Sequence, residues 1–358
     1  MLWAKLTEEN NEMSETMRAI CKTKPEPGAE LIDAPIPQVG PDDVLIKVRA
    51  TTICGTDLHV FNWDPWAQSR IKTPLIFGHE CAGDIVQVGN NVHDVQVGDY
   101  VSVETHIPVG VSYQTRICQA NVDPLVKILG IDRPGSYAEY VAVPAKVAWK
   151  NPSDMAPEVA SIQEPFGNGV YTVLSAPVTA KTVLITGCGP IGLWAVGIAK
   201  AAGAKAVYAT DINPLRLKIA EQMGATIAIN SAETDPVELL LKETGGVGVD
   251  VLCEMSGNWR AIKQGFAALR NGGRVSMLGI PPRPVELDLA NDIIFKGATI
   301  YGISGRLIWE TWYQTQALIT SGMVDPTPVI THRFKLEEFA EAFRLMNEGS
   351  AAKVALFP

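Results

Sequence analysis

The chain has 358 residues, 47% of them apolar, with a formal charge of -9 and a pI near 5.2. That length exceeds what one core usually supports and predicts two domains, each with enough apolar residues to be buried. The acidic balance excludes non-specific binding to nucleic acid or an anionic membrane, which requires a positive face, and points to a small-molecule partner.

The first stretch, "MLWAKLTEENNEMSETM", has neither a basic n-region nor an apolar h-region, and the sequence contains no run of about 18 apolar residues. Residues 1–16 read as a polar N-terminal extension, and a cytoplasmic location is the expectation. Six cysteines, Cys21, Cys54, Cys81, Cys118, Cys188 and Cys253, lack paired spacing, which predicts reduced and mostly buried thiols. Cys54 alone sits among other ligand-type residues.

From Met17 to Val143, short apolar or alternating runs such as "DVLIKVRAT", "GDIVQVG", "GDYVSVET" and "AEYVAVP" are separated by Gly, Pro and Asn, the texture of a mostly β region. From Lys181 the texture changes. "KTVLITG" predicts a strand, and "PIGLWAVGIAKAAG" a helix with Ile191, Trp194, Ala195, Ile198, Ala199 and Ala202 on its packed stripe. Strand and helix patterns then alternate to "ATIYGI", which predicts a doubly wound parallel sheet, so the fold class is α/β. "TWYQTQALITSG" and "LEEFAEAFRLMNEG" add two amphipathic helical patterns bounded by Gly.

"ITGCGPIG" places Gly187, Gly189 and Gly192 in G-x-G-x-x-G spacing, after a strand and opening a helix. In that context the turn suits a pyrophosphate: Gly189 lets it approach the backbone, Pro190 and Ile191 begin the helix, and the free N–H groups there face the phosphates. Asp211 ends the next strand, nineteen residues after Gly192, where it can accept both ribose hydroxyls and repel a 2'-phosphate. NAD is therefore expected over NADP. Arg216 is a mild counter-signal, and Leu278, Gly279 and Ile280 are further candidate cofactor contacts.

Chemistry-bearing residues crowd "TTICGTDLHVF" and "FGHECAG". Cys54, His79 and Glu80 are candidate ligands of a catalytic zinc, because a thiolate, an imidazole and a carboxylate leave a fourth position open. Each taken singly also fits a blander reading: a buried thiol, a packed histidine, a surface acid. Asp57 is placed to accept the second imidazole N–H of His79. Thr56 and His59 fit a proton relay, or else a helix cap and a surface imidazole. Glu164, in "QEPFGNG", is a further acid at the junction of the two textures. His93 and His332 read as structural.

With "GHECAGDIVQVG" (residues 78–89) the sequence resembles the zinc-dependent medium-chain dehydrogenase/reductase family from Met17 onward. "ICGTDLH", "GDYVSVETHI", "QEPFGN" and "GRLIWETWY" are similar to motifs of its threonine-oxidising branch. The resemblance implies a mostly β GroES-like catalytic domain (17–165 and 308–358) and a Rossmann NAD-binding domain (166–307). It also implies zinc at Cys54, His79 and Glu80, with Glu164 as an exchangeable fourth ligand, His106 in the substrate pocket, and Arg306, Trp309, Glu310 and Trp312 in a specificity motif. The implied activity is oxidation of the secondary alcohol of L-threonine to 2-amino-3-oxobutanoate, with hydride transfer to NAD, in a homotetramer. A polyol or 2,3-butanediol dehydrogenase is the nearest alternative, and a non-catalytic metal- and nucleotide-binding homologue the alternative of another class. The family often carries a second, structural zinc on C-x2-C-x2-C-x7-C. Here the matching positions are Val109, Ser112, Thr115 and Asp123, with Cys118 off the pattern. One zinc per chain and a more mobile lobe at 108–125 are expected.

Overall fold

A computed structural model describes residues 16–358. Residues 1–15, most of the proposed polar extension, lie outside the described residues, while Thr16 already opens the strand Thr16–Lys22.

The mostly β part is organised around the long strand Asp43–Thr52. Its whole length pairs with Glu80–Val88, its first half also with Tyr140–Pro144, and its last two residues with the C-terminal strand Lys353–Phe357, all antiparallel. One strand can serve three partners because Tyr140–Pro144 and Lys353–Phe357 share its second edge end to end, and the register slips at Leu45/Ile46 and Val48/Ala50 against Glu80–Val88 bend the strand and increase its twist. Ile330–Lys335 then lies parallel to Lys353–Phe357, so residues from both ends of the sequence build one sheet.

The second sheet is wholly parallel. In space its strands run Ile227–Asn230, Ala206–Asp211, Thr182–Thr186, Val249–Glu254, Leu269–Met277 and Thr299–Gly302, the doubly wound order whose reversal falls between Thr182–Thr186 and Val249–Glu254. Ligands of such sheets bind at the carboxyl ends of the strands at that reversal. The helix Pro190–Ala201 is more deeply buried than its expected stripe: Leu193, Val196 and Gly197 are inaccessible as well. The cause is a second helix, Gln163–Leu174, packed against it. One apolar cluster runs from Phe166 and Val170 through Trp194 to Val329, Ile330 and Ala355, so the two sheets share a continuous core. Among the described residues no helix is long and apolar enough to cross a membrane.

Candidate active site

Cys54 caps the helix Gly55–Asn62 from an extended backbone conformation, and a reciprocal capping box explains why the helix starts there. The Cys54 carbonyl accepts from the Asp57 N–H at 3.1 Å, and Asp57 Oδ2 accepts from the Cys54 N–H at 2.9 Å. The free N–H groups at this helix start put partial positive charge beside the sulfur. His79 and Glu80 come from the loop entering the strand Glu80–Val88 and are both buried. One ligand atom from each of Cys54, His79 and Glu80 lies within 4.8 Å of the others. Three donors of a tetrahedral zinc at ~2.0–2.3 Å stand ~3.3–3.8 Å apart, so the set closes on that ion with side-chain movement of about an ångström.

The surroundings of these donors match a cation. Asp57 Oδ1 is 3.4 Å from His79 Nδ1 without the alignment of a hydrogen bond, and neither atom has another partner. That contact leaves Nε2 free to ligate. Burial alone would push the His79 imidazole down, but Asp57 and the Cys54 sulfur hold it well above the usual histidine range, so a cation binding there displaces a proton. The Glu80 carboxylate accepts from Thr52 Oγ1 and from Lys353 Nζ, the latter at 2.5 Å, while Oε1 has no partner. Burial raises the Glu80 carboxyl above the usual range, against the pull of Lys353. An unpaired carboxylate oxygen at 0% exposure is costly unless a cation meets it.

Glu164 is not among the three clustered donors. Its Oε1 is taken by Arg306 Nη1 at 2.7 Å, which leaves Oε2 as the oxygen open to another partner. Arg306 is itself buried and makes a two-pronged pair with Glu104, Nε to Oε2 at 2.6 Å and Nη2 to Oε1. Trp312 Nε1 donates to Glu104 Oε2 at 2.7 Å, and His106 Nδ1 lies 3.2 Å from both Glu104 Oε1 and Arg306 Nη2. Burial would raise Glu104, yet Arg306 and then His106 hold it down to about 2. Because this folded value lies below the unfolded one of ~4.3, the stabilisation is complete above that pH and lost as pH falls toward about 2. Acid titration followed by tryptophan emission is expected to show a transition in this window that Arg306→Gln moves to higher pH.

Thr56 Oγ1 is 3.8 Å from the Cys54 sulfur. His59 is exposed, with Nδ1 2.5 Å from Asp64 Oδ2 and its ring against Trp66. Trp309 stacks on Trp149 in an aromatic cluster with Tyr313, and Glu310 is exposed, so in the specificity motif Arg306 and Trp312 alone join the buried network around Glu104. Four cysteines are buried as expected, and burial pushes the Cys81 and Cys253 thiols up to about 12, which keeps them neutral. Cys118 departs from that expectation and is exposed.

At the sheet reversal a cleft of about 540 Å³ is lined by Gly187, Gly189, Asp211 and Arg216. Gly192 sits in the first helical turn behind it, where a Cβ would come within 2.0 Å of the Gly187 carbonyl oxygen. Asp211 accepts three backbone N–H groups, from Cys188, Ile212 and Asn213. A carboxylate offers about four acceptor positions, so one strong position remains for a ribose hydroxyl rather than the two expected. Leu278, Gly279 and Ile280 do not line this cleft. Gly279 is packed against Gly257, and Ile280 points into solvent. Ser231, Met255, Ser256, Asn258 and Arg260 line it instead. "EMSGN" at the end of the strand Val249–Glu254 is the signal that could have found three of them, since strand ends at the reversal face the ligand.

In the 108–125 lobe, three of the four expected cysteine positions do converge. Ser112 Oγ donates to Asp123 Oδ2 at 2.5 Å and lies 3.3 Å from Thr115 Oγ1, while Val109 is exposed apart from them. Hydroxyls and a carboxylate hydrogen-bond to one another where the family pattern has thiolates.

The alcohol dehydrogenase GroES-like domain model matches residues 40–153, and the zinc-binding dehydrogenase model residues 190–321. An L-threonine 3-dehydrogenase of Thermococcus kodakarensis is 51% identical over 97% of this chain and 99% of its own length. The chain belongs to the zinc-dependent medium-chain dehydrogenase family. A second member of that family, an L-threonine 3-dehydrogenase of Bacillus velezensis, is likewise 51% identical, covering 97% of this chain and 100% of its own. Among solved structures, a 2R,3R-butanediol dehydrogenase from Bacillus subtilis superimposes with a TM-score of 0.85 at 29% identity, covering 96% of this chain and 99% of that one. An Escherichia coli CFT073 alcohol dehydrogenase complexed with NADH does so with a TM-score of 0.88 at 28% identity, over 96% and 100%. Zinc and a nicotinamide dinucleotide are thus the cofactors of this medium-chain dehydrogenase.

Proposed function

We propose that this protein oxidises the secondary alcohol of L-threonine to 2-amino-3-oxobutanoate and passes the hydride to NAD. The observation that carries the reading is the buried convergence of Cys54, His79 and Glu80 with the Thr56 hydroxyl beside them. The substrate is supported by relatives of that name at about half identity over nearly the full length. Cys54, His79 and Glu80 hold the zinc, with the free Oε2 of Glu164 as the exchangeable fourth donor. Bound zinc supplies a Lewis acid that lowers the pKa of the substrate hydroxyl, and the nicotinamide accepts the hydride. Asp57 orients the His79 imidazole. The Thr56 hydroxyl takes the substrate hydroxyl proton as it releases its own toward the exposed side of the site, where His59 passes a proton to water. His106 lines the substrate pocket, and Glu164, once exchanged off the zinc, attracts the ammonium group through the same Oε2. Arg306 is fully engaged by Glu104 and Glu164, so it fixes the pocket wall rather than binding the substrate carboxylate.

We assign residues 17–165 and 308–358 to the catalytic domain and 166–307 to the cofactor domain, one zinc to each chain, and a cytoplasmic location. A homotetramer is our reading of the assembly. It is supported by the outermost strand Thr299–Gly302 with exposed Ile294, Phe295 and Ile300 nearby, and by exposed Val111 and Tyr113 on the 108–125 lobe, since exposed apolar patches and open strand edges mark contact surfaces.

NADH formation with millimolar L-threonine, sorbitol and 2,3-butanediol, with zinc counted in the same sample, tests the reading. Turnover of threonine well above the other two and one zinc per chain are expected. Fast turnover of a polyol with none of threonine overturns the substrate assignment. At the cofactor, Asp211→Ser is expected to lower kcat/KM for NAD roughly tenfold or more, the worth of one hydrogen bond to a charged group. It should raise the relative use of NADP because Arg216 and Arg260 border the cleft. Steady-state kinetics with both dinucleotides measures this.

A further inference from the structure

We propose that Tyr137 is a positioning residue of the metal centre, acting through Asp57; the inference rests on the ligand set Cys54, His79 and Glu80 proposed above. Tyr137 is completely buried, and its hydroxyl donates to Asp57 Oδ2 at 2.7 Å while lying 3.3 Å from the Thr52 carbonyl oxygen. Asp57 touches both metal-bearing segments, through the Cys54 N–H on Oδ2 and through His79 Nδ1 near Oδ1. The phenol fixes this carboxylate from a third direction. Without it Oδ2 keeps a single donor, the carboxylate can rotate, and the weak 3.4 Å approach to His79 no longer has a defined geometry.

The same residue also braces the His79 loop from the other side. Its ring lies over Gly78, where a Cβ would come within 2.4 Å of a ring carbon, and Gly78 has a φ of +86°. The Tyr137 N–H donates to the Phe77 carbonyl at 3.0 Å and the Ser136 N–H to that of Gly78 at 2.9 Å. Ser136 Oγ is 2.9 Å from Thr51 Oγ1, so residues 136–137 bridge the strand leading to Cys54 and the loop carrying His79. A phenol in this place sets the distance between two ligands that no local sequence motif holds together. Outer partners of metal-bound imidazoles are typically worth 10- to 100-fold in metal affinity.

The test uses the full chain loaded with zinc or cobalt(II). Tyr137→Phe keeps the ring and its packing and removes only the hydroxyl. Competition with a chromophoric chelator is expected to show zinc affinity weakened about 10- to 100-fold, with altered visible bands for the cobalt form. Asp57→Asn is made alone and combined with Tyr137→Phe. Since the phenol acts through Asp57, the double variant is expected to bind zinc no more weakly than Asp57→Asn alone. Unchanged zinc affinity and cobalt bands in Tyr137→Phe overturn the proposal, as does simple additivity in the double variant, which marks a packing role. Cys54→Ser measured alongside separates the two levels: if it too keeps zinc affinity unchanged, the ligand set itself is wrong.

Discussion

Replacing Cys54 with alanine is expected to lower threonine oxidation by about 10³-fold or more and to leave the protein with little zinc. The sulfur is one of three protein donors, and His79 and Glu80 alone form a weak site. A Lewis acid contributes several kcal/mol to stabilising the developing oxyanion, and ~4 kcal/mol corresponds to about three powers of ten in rate. The competing explanation, unfolding, has a much smaller magnitude. Cys54 also caps the helix Gly55–Asn62, and a lost cap costs ~1 kcal/mol. Thermal unfolding of the chelator-treated wild type and variant should therefore nearly coincide, while elemental zinc and NADH formation should collapse together. A variant that keeps one zinc per chain and full turnover places the catalytic metal elsewhere.

Lys353→Met is expected to have the largest effect on stability. Lys353 and Glu80 are 2% and 0% exposed, their charged atoms are 2.5 Å apart, and the ammonium group also donates to the Ile53 carbonyl at 2.9 Å. Removing one partner of a buried pair leaves the other charge unsolvated and costs ~3–5 kcal/mol, whereas removing both charges can be nearly neutral. Chemical denaturation in excess chelator should thus show a marked loss for Lys353→Met and recovery of most of it when Glu80→Gln is added. In saturating zinc the single variant should regain part of its stability, because the metal then supplies the missing positive charge to Glu80. Failure of the double variant to recover would mean that the lysine acts by filling space rather than by its charge.

What could be read from the sequence was what local chain geometry imposes. Gly187 and Gly192 identify their own turn, because a Cβ at either would collide with neighbouring backbone, while Gly189 leaves the helix start open, and the sheet around it follows from alternating strand and helix patterns. Cys54, His79 and Glu80 were legible because two short segments each concentrate ligand-type side chains. Their charge partners were not. Lys353 sits in "AAKVALF", where a lysine in an apolar run gives no hint that it faces a carboxylate, and its partner is fixed only by the pairing of Lys353–Phe357 with Asp43–Thr52. The capture of Glu164 by Arg306 was hidden for the same reason: Arg306 is far along the chain from both of its acids, 202 residues from Glu104, and nothing local predicts which acid a buried guanidinium will choose. Ser112, Thr115 and Asp123 could be aligned with absent cysteines, but their mutual hydrogen bonding depends on a loop closure that residue types alone do not specify. In the cofactor cleft, the expected pair of ribose contacts at Asp211 ignored the backbone N–H groups that a turn directs at its own carboxylate.

The strand carrying Lys353 has a consequence for the order in which this molecule can be built. The ammonium group meets a carbonyl 300 positions earlier in the chain, so the neighbourhood of Glu80 is completed by one of the most distant contacts available to it. Contacts of such separation close late in folding. Segments bearing the three donors can collapse into their β sheet first, but the cradle reaches its final charge balance only when Lys353–Phe357 docks beside Thr51 and Thr52. Shortened chains lacking that strand should therefore acquire metal poorly although every donor is present, which makes capture of the ion a report on completed assembly rather than an early nucleating event.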